Sequence, residues 1–357
     1  MSLTRTQLFW MIFISEIVLL TYFALGPAIK LAHQNIWISF IIAGVGAIVG
    51  TILMIRVSLL YSNQSLIQYC QTILGKFLGK LIAFSYICYW FFIAIVLLRA
   101  QADFININLL KYTPFFIVVL LLIFLIIYAN WQSGITSIGR CSEVIGPLLF
   151  IAGFLPLLLS VRHMDPSQLL PVYTDDKRSI FNGALFTFCF LGETSVIMMV
   201  ITFIKDHQKL SFSILGAIGF GTLWGGLISV GVILIYGPIA SGNMYHPQYM
   251  FMKSISVLNF IQNFDLIITF FTQFGIMIKL FYQFFISSYG ISQLLNIKKQ
   301  KLLTFVLATL LFLCVMLTMD INYQKYLNPW IFVVFNFLIP LLLWIIGRLR
   351  YSFNNIV

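Results

Sequence analysis

Residues 181–204 read FNGALFTFCFLGETSVIMMVITFI. At ~1.5 Å rise per residue, a helix of this length crosses a hydrocarbon core of ~30 Å. Its middle is unusual for a membrane span, because the apolar Cys189-Phe190-Leu191 runs into Gly192, Glu193, Thr194 and Ser195. A carboxylate near the bilayer centre costs ~2.5–3.5 kcal/mol on insertion scales, so Glu193 must take up a proton or find a cation. Glycine is a poor helix former, and small polar residues follow it. The stretch therefore predicts a membrane helix that opens at Gly192.

Nine more apolar runs surround it, at about 8–32, 36–60, 79–104, 114–131, 142–161, 214–238, 264–290, 302–319 and 327–347. Only helices and closed barrels satisfy every backbone group in lipid, and continuous apolar runs select helices. The expected fold is an all-α membrane protein with ten transmembrane helices. Hydrophobic residues make up 61% of the 357 and charged residues 9%, with mean hydropathy +1.01, which leaves too little polar sequence for a separate soluble domain. One polytopic domain over 1–357 is expected. The first run ends in Lys30 and His33 without a small-residue cleavage site, which reads as a retained helix and not a secretory signal. Between the second and third spans, Leu66, Ile67, Ile73, Leu74 and Phe77 among polar neighbours predict a short helix lying on the cytoplasmic surface.

The net charge of +11 comes from single and paired Lys and Arg between spans, with no basic face of the kind that nucleic acid requires. With an inside amino terminus, the cytoplasmic side holds twelve of them: Arg5, Arg56, Lys76, Lys80, Arg140, Lys205, Lys209, Lys298, Lys299, Lys301, Arg348 and Arg350. The other side holds seven: Lys30, Lys111, Arg162, Lys177, Arg178, Lys253 and Lys325. That bias places both termini in the cytoplasm.

Five cysteines (Cys70, Cys88, Cys141, Cys189, Cys314) lack paired spacing and read as buried structural thiols. The four histidines are isolated, and no nucleotide loop, metal-ligand cluster or activated nucleophile is visible. Neither a cofactor nor an enzymatic activity is expected.

The outer loop, 162–180, carries Pro166, Pro171 and Asp175–Asp176 and divides the spans five and five: a first repeat over 1–161, a second over 181–347, and a cytoplasmic tail at 348–357. Halves with odd numbers of spans enter the membrane from opposite sides, so a shared fold makes them an inverted repeat, with interrupted first helices and a ligand site near the midplane. The first span has its own breaker, Gly26-Pro27, for which a simple proline kink is an equal explanation.

Five ionisable residues sit where lipid would not tolerate them: Glu16, Arg99, Asp103, Glu193 and Lys279. Arg99 and Asp103, four apart, share a helix face and read either as a staple of the third span or as part of an outer ligand mouth. Lys279, in the eighth span, needs an anion; Glu193, Glu16 or a ligand would serve, and a fixed ammonium can also replace a bound cation. Glu16 lies near enough to a helix end to face a watery vestibule. Gly192, Glu193, Thr194, Ser195, Thr21 and Lys279 are the candidate ligand-binding residues. Glu143 and Arg140, three apart, suit an interfacial pair, and Tyr86, Tyr89 and Trp90 read as packing or as pocket lining.

Gly139-Arg140-Cys141-Ser142-Glu143-Val144-Ile145-Gly146-Pro147, Leu169-Leu170-Pro171-Val172, Phe190-Leu191-Gly192-Glu193, Ile278-Lys279 and Gly290-Ile291-Ser292-Gln293, with Arg99, Asp103 and Thr113-Pro114, occur in an order that resembles the endospore germination permease family. The resemblance implies a branch of the amino acid–polyamine–organocation superfamily, with ten helices of which the first and sixth are interrupted. It also implies a place in the spore inner membrane, germinant receptor A and C subunits as partners, and a small nutrient such as an amino acid as ligand. The chain departs from transporter relatives at Val18-Leu19-Leu20-Thr21, where they carry a glycine-rich break. A nutrient-sensing receptor subunit and a proton-coupled amino-acid or amine transporter are the two leading functions; a scaffold with a defunct site is a third.

Overall fold

The computed structural model describes residues 3–20, 24–62, 64–132, 134–204, 210–253, 264–318 and 328–354. Among the described residues, fifteen α-helices run in the order α1 Arg5–Leu19, α2 Leu25–Ala32, α3 Ile36–Leu60, α4 Leu66–Leu74, α5 Lys76–Phe104, α6 Phe115–Gln132, α7 Ile135–Ser160, α8 Lys177–Leu191, α9 Ile197–Val200, α10 Leu210–Asn243, α11 Pro247–Lys253, α12 Phe264–Leu294, α13 Gln300–Leu317, α14 Pro329–Val333 and α15 Ile339–Asn354. Among the described residues, eight helical stretches are long and apolar enough to cross a membrane. The first and sixth expected spans are not among the eight. The sixth opens with α8, which stops at Leu191, and the first with α1, which is described as far as Leu19–Leu20, ahead of residues 21–23 outside the described set.

The buried heart is formed by α1, α3, α5, α8, α10 and α12: α3 packs on α8 and α10, α12 on α5, α7 and α1, and α1 on α10 and α7. Outside it, α6 and α13 turn large apolar side chains outward, among them Leu121, Phe124, Phe305 and Leu313. Such an apolar exterior suits lipid contact and would be an aggregation liability in water.

Local chemistry sets several boundaries. Thr4 and Gln7 form a capping box at the start of α1, with the Gln7 amide donating to Thr4 Oγ1 at 3.2 Å. Gly26-Pro27 falls in the first turn of α2, where a missing N–H is tolerated, while residues 21–23 between α1 and α2 lie outside the described residues. Helix α10 bends at Gly237, whose φ of 73° is open to glycine and strained for other residues, and Pro238 follows it. Helix α7 starts at Ile135, earlier than its apolar run suggests, because the polar turn around Arg140 and Glu143 stays helical.

The short amphipathic helix expected between the second and third spans is α4, whose Leu66, Ile67, Tyr69, Cys70 and Ile73 are buried against the bundle, on α5 and α15, while Gln68 and Thr72 are exposed. One expectation changes in the folded chain. Cys88 and Cys141 are exposed, so only Cys70 and Cys189 of the five thiols are buried. The loop before α8 is ordered by the chain it covers. Asn35 donates to the Thr174 carbonyl at 3.1 Å and Trp37 to the Val172 carbonyl at 3.1 Å. Asp176 caps α8 through the Ser179 amide at 3.0 Å. Hydrogen bonds from Ser167 hold the exposed Asp165 carboxyl below its ordinary range.

Candidate functional site

At the end of α8 the Gly192 amide donates to the Phe188 carbonyl at 2.7 Å. Gly192 has φ of −90°, which any residue adopts, so the reason for glycine is space. A Cβ there would lie 2.7 Å from the Phe188 carbonyl oxygen and 2.9 Å from its ring. The chain then turns through 193–196, with the Thr194 amide donating to the Gly192 carbonyl at 2.7 Å, before α9 begins at Ile197.

This turn carries Glu193 against α12. Lys279 Nζ lies 2.6 Å from Glu193 Oε2, and both side chains are fully buried. The same ammonium donates to the Ser15 carbonyl of α1 at 2.8 Å. Gln283, one turn along α12 from Lys279 and on the same face, donates to Glu193 Oε1 at 3.3 Å. One residue cluster thus joins α1, the turn after α8 and α12.

The two small polar residues after Glu193 turn to the protein. Thr194 Oγ1 lies 2.8 Å from Thr51 Oγ1 on α3, and Ser195 Oγ accepts from the Trp90 indole of α5 at 3.1 Å. The Ser195 amide donates to Asn336 Oδ1 at 3.2 Å, and Asn336 Nδ2 donates to the Tyr89 hydroxyl at 3.0 Å. Asn336 stands in a π-helical stretch, Val334–Leu338, between α14 and α15. Such bulges leave backbone and side chains off the regular ladder and recur at functional sites. Trp90 and Tyr89 are therefore hydrogen-bonding walls of the opened segment as well as packing.

Glu16 is 1% exposed on α1, beside the pair, and its Oε2 has no hydrogen-bond partner among the described residues. Arg99 and Asp103 form a separate cluster. Arg99 Nε donates to Asp103 Oδ2 at 2.8 Å, its Nη1 to the Thr318 carbonyl at the end of α13 at 2.6 Å, and its guanidinium stands 4.4 Å from the Phe115 ring centre. Glu143 takes a hydrogen bond from Gln7 Nε2 at 3.2 Å, and no ion pair joins it to Arg140. Thr21 lies outside the described residues.

Sequence reasoning singled out Gly192, Glu193, Lys279 and Glu16, which the fold brings together. It missed Gln283, Asn336, Thr51 and the Ser15 carbonyl. Gln283 was legible as a polar residue four after Lys279, and Asn336 as a lone amide in the last span. A cavity of about 690 Å³, with a largely apolar lining that includes Leu122, Val144, Met277 and Phe281, lies between α5, α6, α7 and α12 and shares no residue with the Glu193 cluster.

A family model described as spore germination protein matches residues 2–324. Spore germination protein YndE of Bacillus subtilis (strain 168) is 23% identical over 269 residues, 73% of this chain and 72% of its own length. Spore germination protein KB of the same organism is 23% identical over 350 residues, 92% of each chain. Spore germination protein XB of Bacillus anthracis is 22% identical over 300 residues, 83% of this chain and 82% of its own. Two solved structures share the fold: a Na+-coupled sialic acid symporter in a substrate-bound outward-open state, with TM-score 0.67 and 10% identity over 93% of this chain and 79% of the other; and MHP1, a nucleobase-cation-symport-1 family transporter in a closed conformation with bromovinylhydantoin bound, with TM-score 0.67 and 13% identity over 94% and 75%.

Proposed function

The chain belongs to the spore germination protein family, and from that premise we propose that it is the nutrient-sensing membrane subunit of a germinant receptor, binding a small zwitterion, most simply an amino acid, between Glu193 and Lys279. The observation that carries this reading is the fully buried Lys279–Glu193 pair where α1 and the turn after α8 meet α12. In the proposed topology α1–α2 and α8–α9 are the interrupted first and sixth of ten spans, related as inverted repeats, with both termini cytoplasmic, in the spore inner membrane. Germinant receptor A and C subunits are the proposed partners.

The physical logic is exchange of partners. Breaking a buried ion pair by removing one member costs about 3–5 kcal/mol, because the other charge is left uncompensated. A ligand carrying both charges gives Lys279 a carboxylate and Glu193 an ammonium, so neither is orphaned. A ligand with one charge leaves the other group alone, and it is expected to bind on the order of 100-fold or more weakly. Both groups are sealed from solvent in this closed arrangement, so entry requires the bundle to open at its breaks. A signal follows because the ligand favours one arrangement over the other.

Equilibrium binding and uptake of a labelled amino-acid panel, in proteoliposomes with and without an inward proton gradient, test the proposal. Saturable binding that is lost in Glu193→Gln, in a strain whose protein still reaches the membrane but no longer answers the nutrient, is the expected result. Normal germination of the Glu193→Gln strain would overturn it. The second reading, a proton-coupled amino-acid or amine transporter, draws on the fold shared with two transporters and on the unpartnered oxygen of Glu16. Gradient-driven accumulation would make it the primary function.

A further inference from the structure

The 690 Å³ cavity between α5, α6, α7 and α12 has a buried back and an exposed mouth. Leu122, Met277 and Ile278 form the back, and Leu125, Val144 and Phe274, all exposed, stand at the mouth. Deep in the bundle Gln101 of α5 closes it, donating through Nε2 to the Gln273 carbonyl of α12 at 3.4 Å. The mouth faces outward, because Val144 heads a stripe on α7 with Ile151 and Leu158, seven residues apart and each more than half exposed. That stripe suits acyl chains, so the cavity opens toward the lipid. Arg140, one turn before Val144 and on the same face, also lines the cavity and is itself exposed. It stands in the second turn of α7, near the helix end, where an arginine lays its stem on apolar surface and keeps its guanidinium at headgroup depth.

We propose that this cavity seats one acyl chain of an anionic phospholipid, whose phosphate is held by Arg140 at the mouth. Water is a poor occupant of walls so apolar, since a buried water needs ~2–4 polar partners, and walls without neighbours forfeit dispersion contacts. Along α12 the lining runs from Gln273 through Met277 to Phe281, eight residues and so ~12 Å of helix. A helix of a partner protein, ~10–12 Å across with its side chains, needs more room over that length than the cavity holds, whereas an acyl chain is slender enough to enter. The guanidinium then supplies what the chain lacks, a charge that selects the headgroup, as basic pockets between membrane helices do. Assignment to the cytoplasmic leaflet rests on the topology proposed above; the seat does not.

Native mass spectrometry of the full chain in detergent micelles, titrated with dioleoylphosphatidylglycerol or dioleoylphosphatidylcholine, tests this. The native protein is expected to retain one phosphatidylglycerol about fivefold more readily than phosphatidylcholine, the preference that one arginine near a headgroup supplies. Arg140→Gln should bind both lipids equally, and Val144→Trp, which fills the mouth, should retain neither. Equal retention of the two lipids by the native protein overturns the selection by Arg140, and full retention of phosphatidylglycerol by Val144→Trp overturns the seat. Glycerol phosphate, the charged group without chains, is expected not to be retained; its retention in an Arg140-dependent manner would make a free phosphate the occupant. A phosphatidylglycerol with a photoreactive acyl chain needs no variant: labelling within residues 141–145 or 273–281 of the native protein is expected. Labelling confined to the outward faces of other helices, or no lipid retained at all, would overturn the proposal.

Discussion

Two ion pairs of the molecule, Arg99–Asp103 and Lys279–Glu193, are built differently. Arg99 and Asp103 are four apart on α5, their side chains 11% and 10% exposed, and the guanidinium is further tied to the carbonyl end of α13 and the face of Phe115. Lys279 and Glu193 are 86 residues apart, fully buried, and supported by a carbonyl of a third helix. The first pair can form in one helix and serves to hold its neighbour. The second exists only when three elements are assembled, so any motion of α1 or the 192–196 turn against α12 must stretch it. A staple and a hinge-spanning pair are thus distinguished by connectivity and not by length, since both bonds are short.

The largest effect is expected at the buried pair. Lys279→Met orphans Glu193 and should destabilise the protein by about 3–5 kcal/mol, read as a lowered melting temperature in detergent, whereas Lys279→Met with Glu193→Gln should recover most of that loss and still bind no nutrient. Native-like melting of the single variant would dissolve the contrast between the two pairs. Next comes Gly192→Ala, whose methyl group meets the Phe188 carbonyl; about 1–3 kcal/mol of strain is expected, with loss of nutrient binding as the turn shifts Glu193. Unchanged binding in that variant would detach the turn from the site. The smallest effect is expected from Arg99→Ala, about 1–2 kcal/mol from the ion pair and the α13 carbonyl contact, with the nutrient response intact. If Arg99→Ala abolished the response at normal stability, Arg99 would belong to an outer ligand path and the comparison would have to be redrawn.

Much of this was legible before the structure. The apolar runs at 36–60, 79–104 and 302–319 correspond closely to α3, α5 and α13, because burial of 18 or more apolar residues leaves a helix in lipid few alternatives. Short elements were harder. Pro247–Lys253 forms α11 with too few residues for a period to stand out, and the inward packing of α4 depends on neighbours that its own sequence does not name. Gly26-Pro27 was legible as a breaker or a simple kink in the first span, and the structure places both residues in the first turn of α2, which begins at Leu25. At the candidate site, Thr194 and Ser195 were legible as polar residues but not as partners of Thr51, Trp90 and Asn336, which come from three other helices.

By itself, the sequence determined that the chain crosses a membrane as helices, that one of them carries glycine and a carboxylate at its centre, and that Glu16, Glu193 and Lys279 each required a partner. Those are consequences of solvent: lipid cannot hydrogen-bond a backbone or solvate a charge. Only the tertiary structure decided that Lys279 takes Glu193 and the Ser15 carbonyl, and that Glu16 Oε2 is left without a partner among the described residues. Which buried charges meet depends on how helices distant in sequence are rotated and broken against one another, and that is settled by packing over the whole bundle.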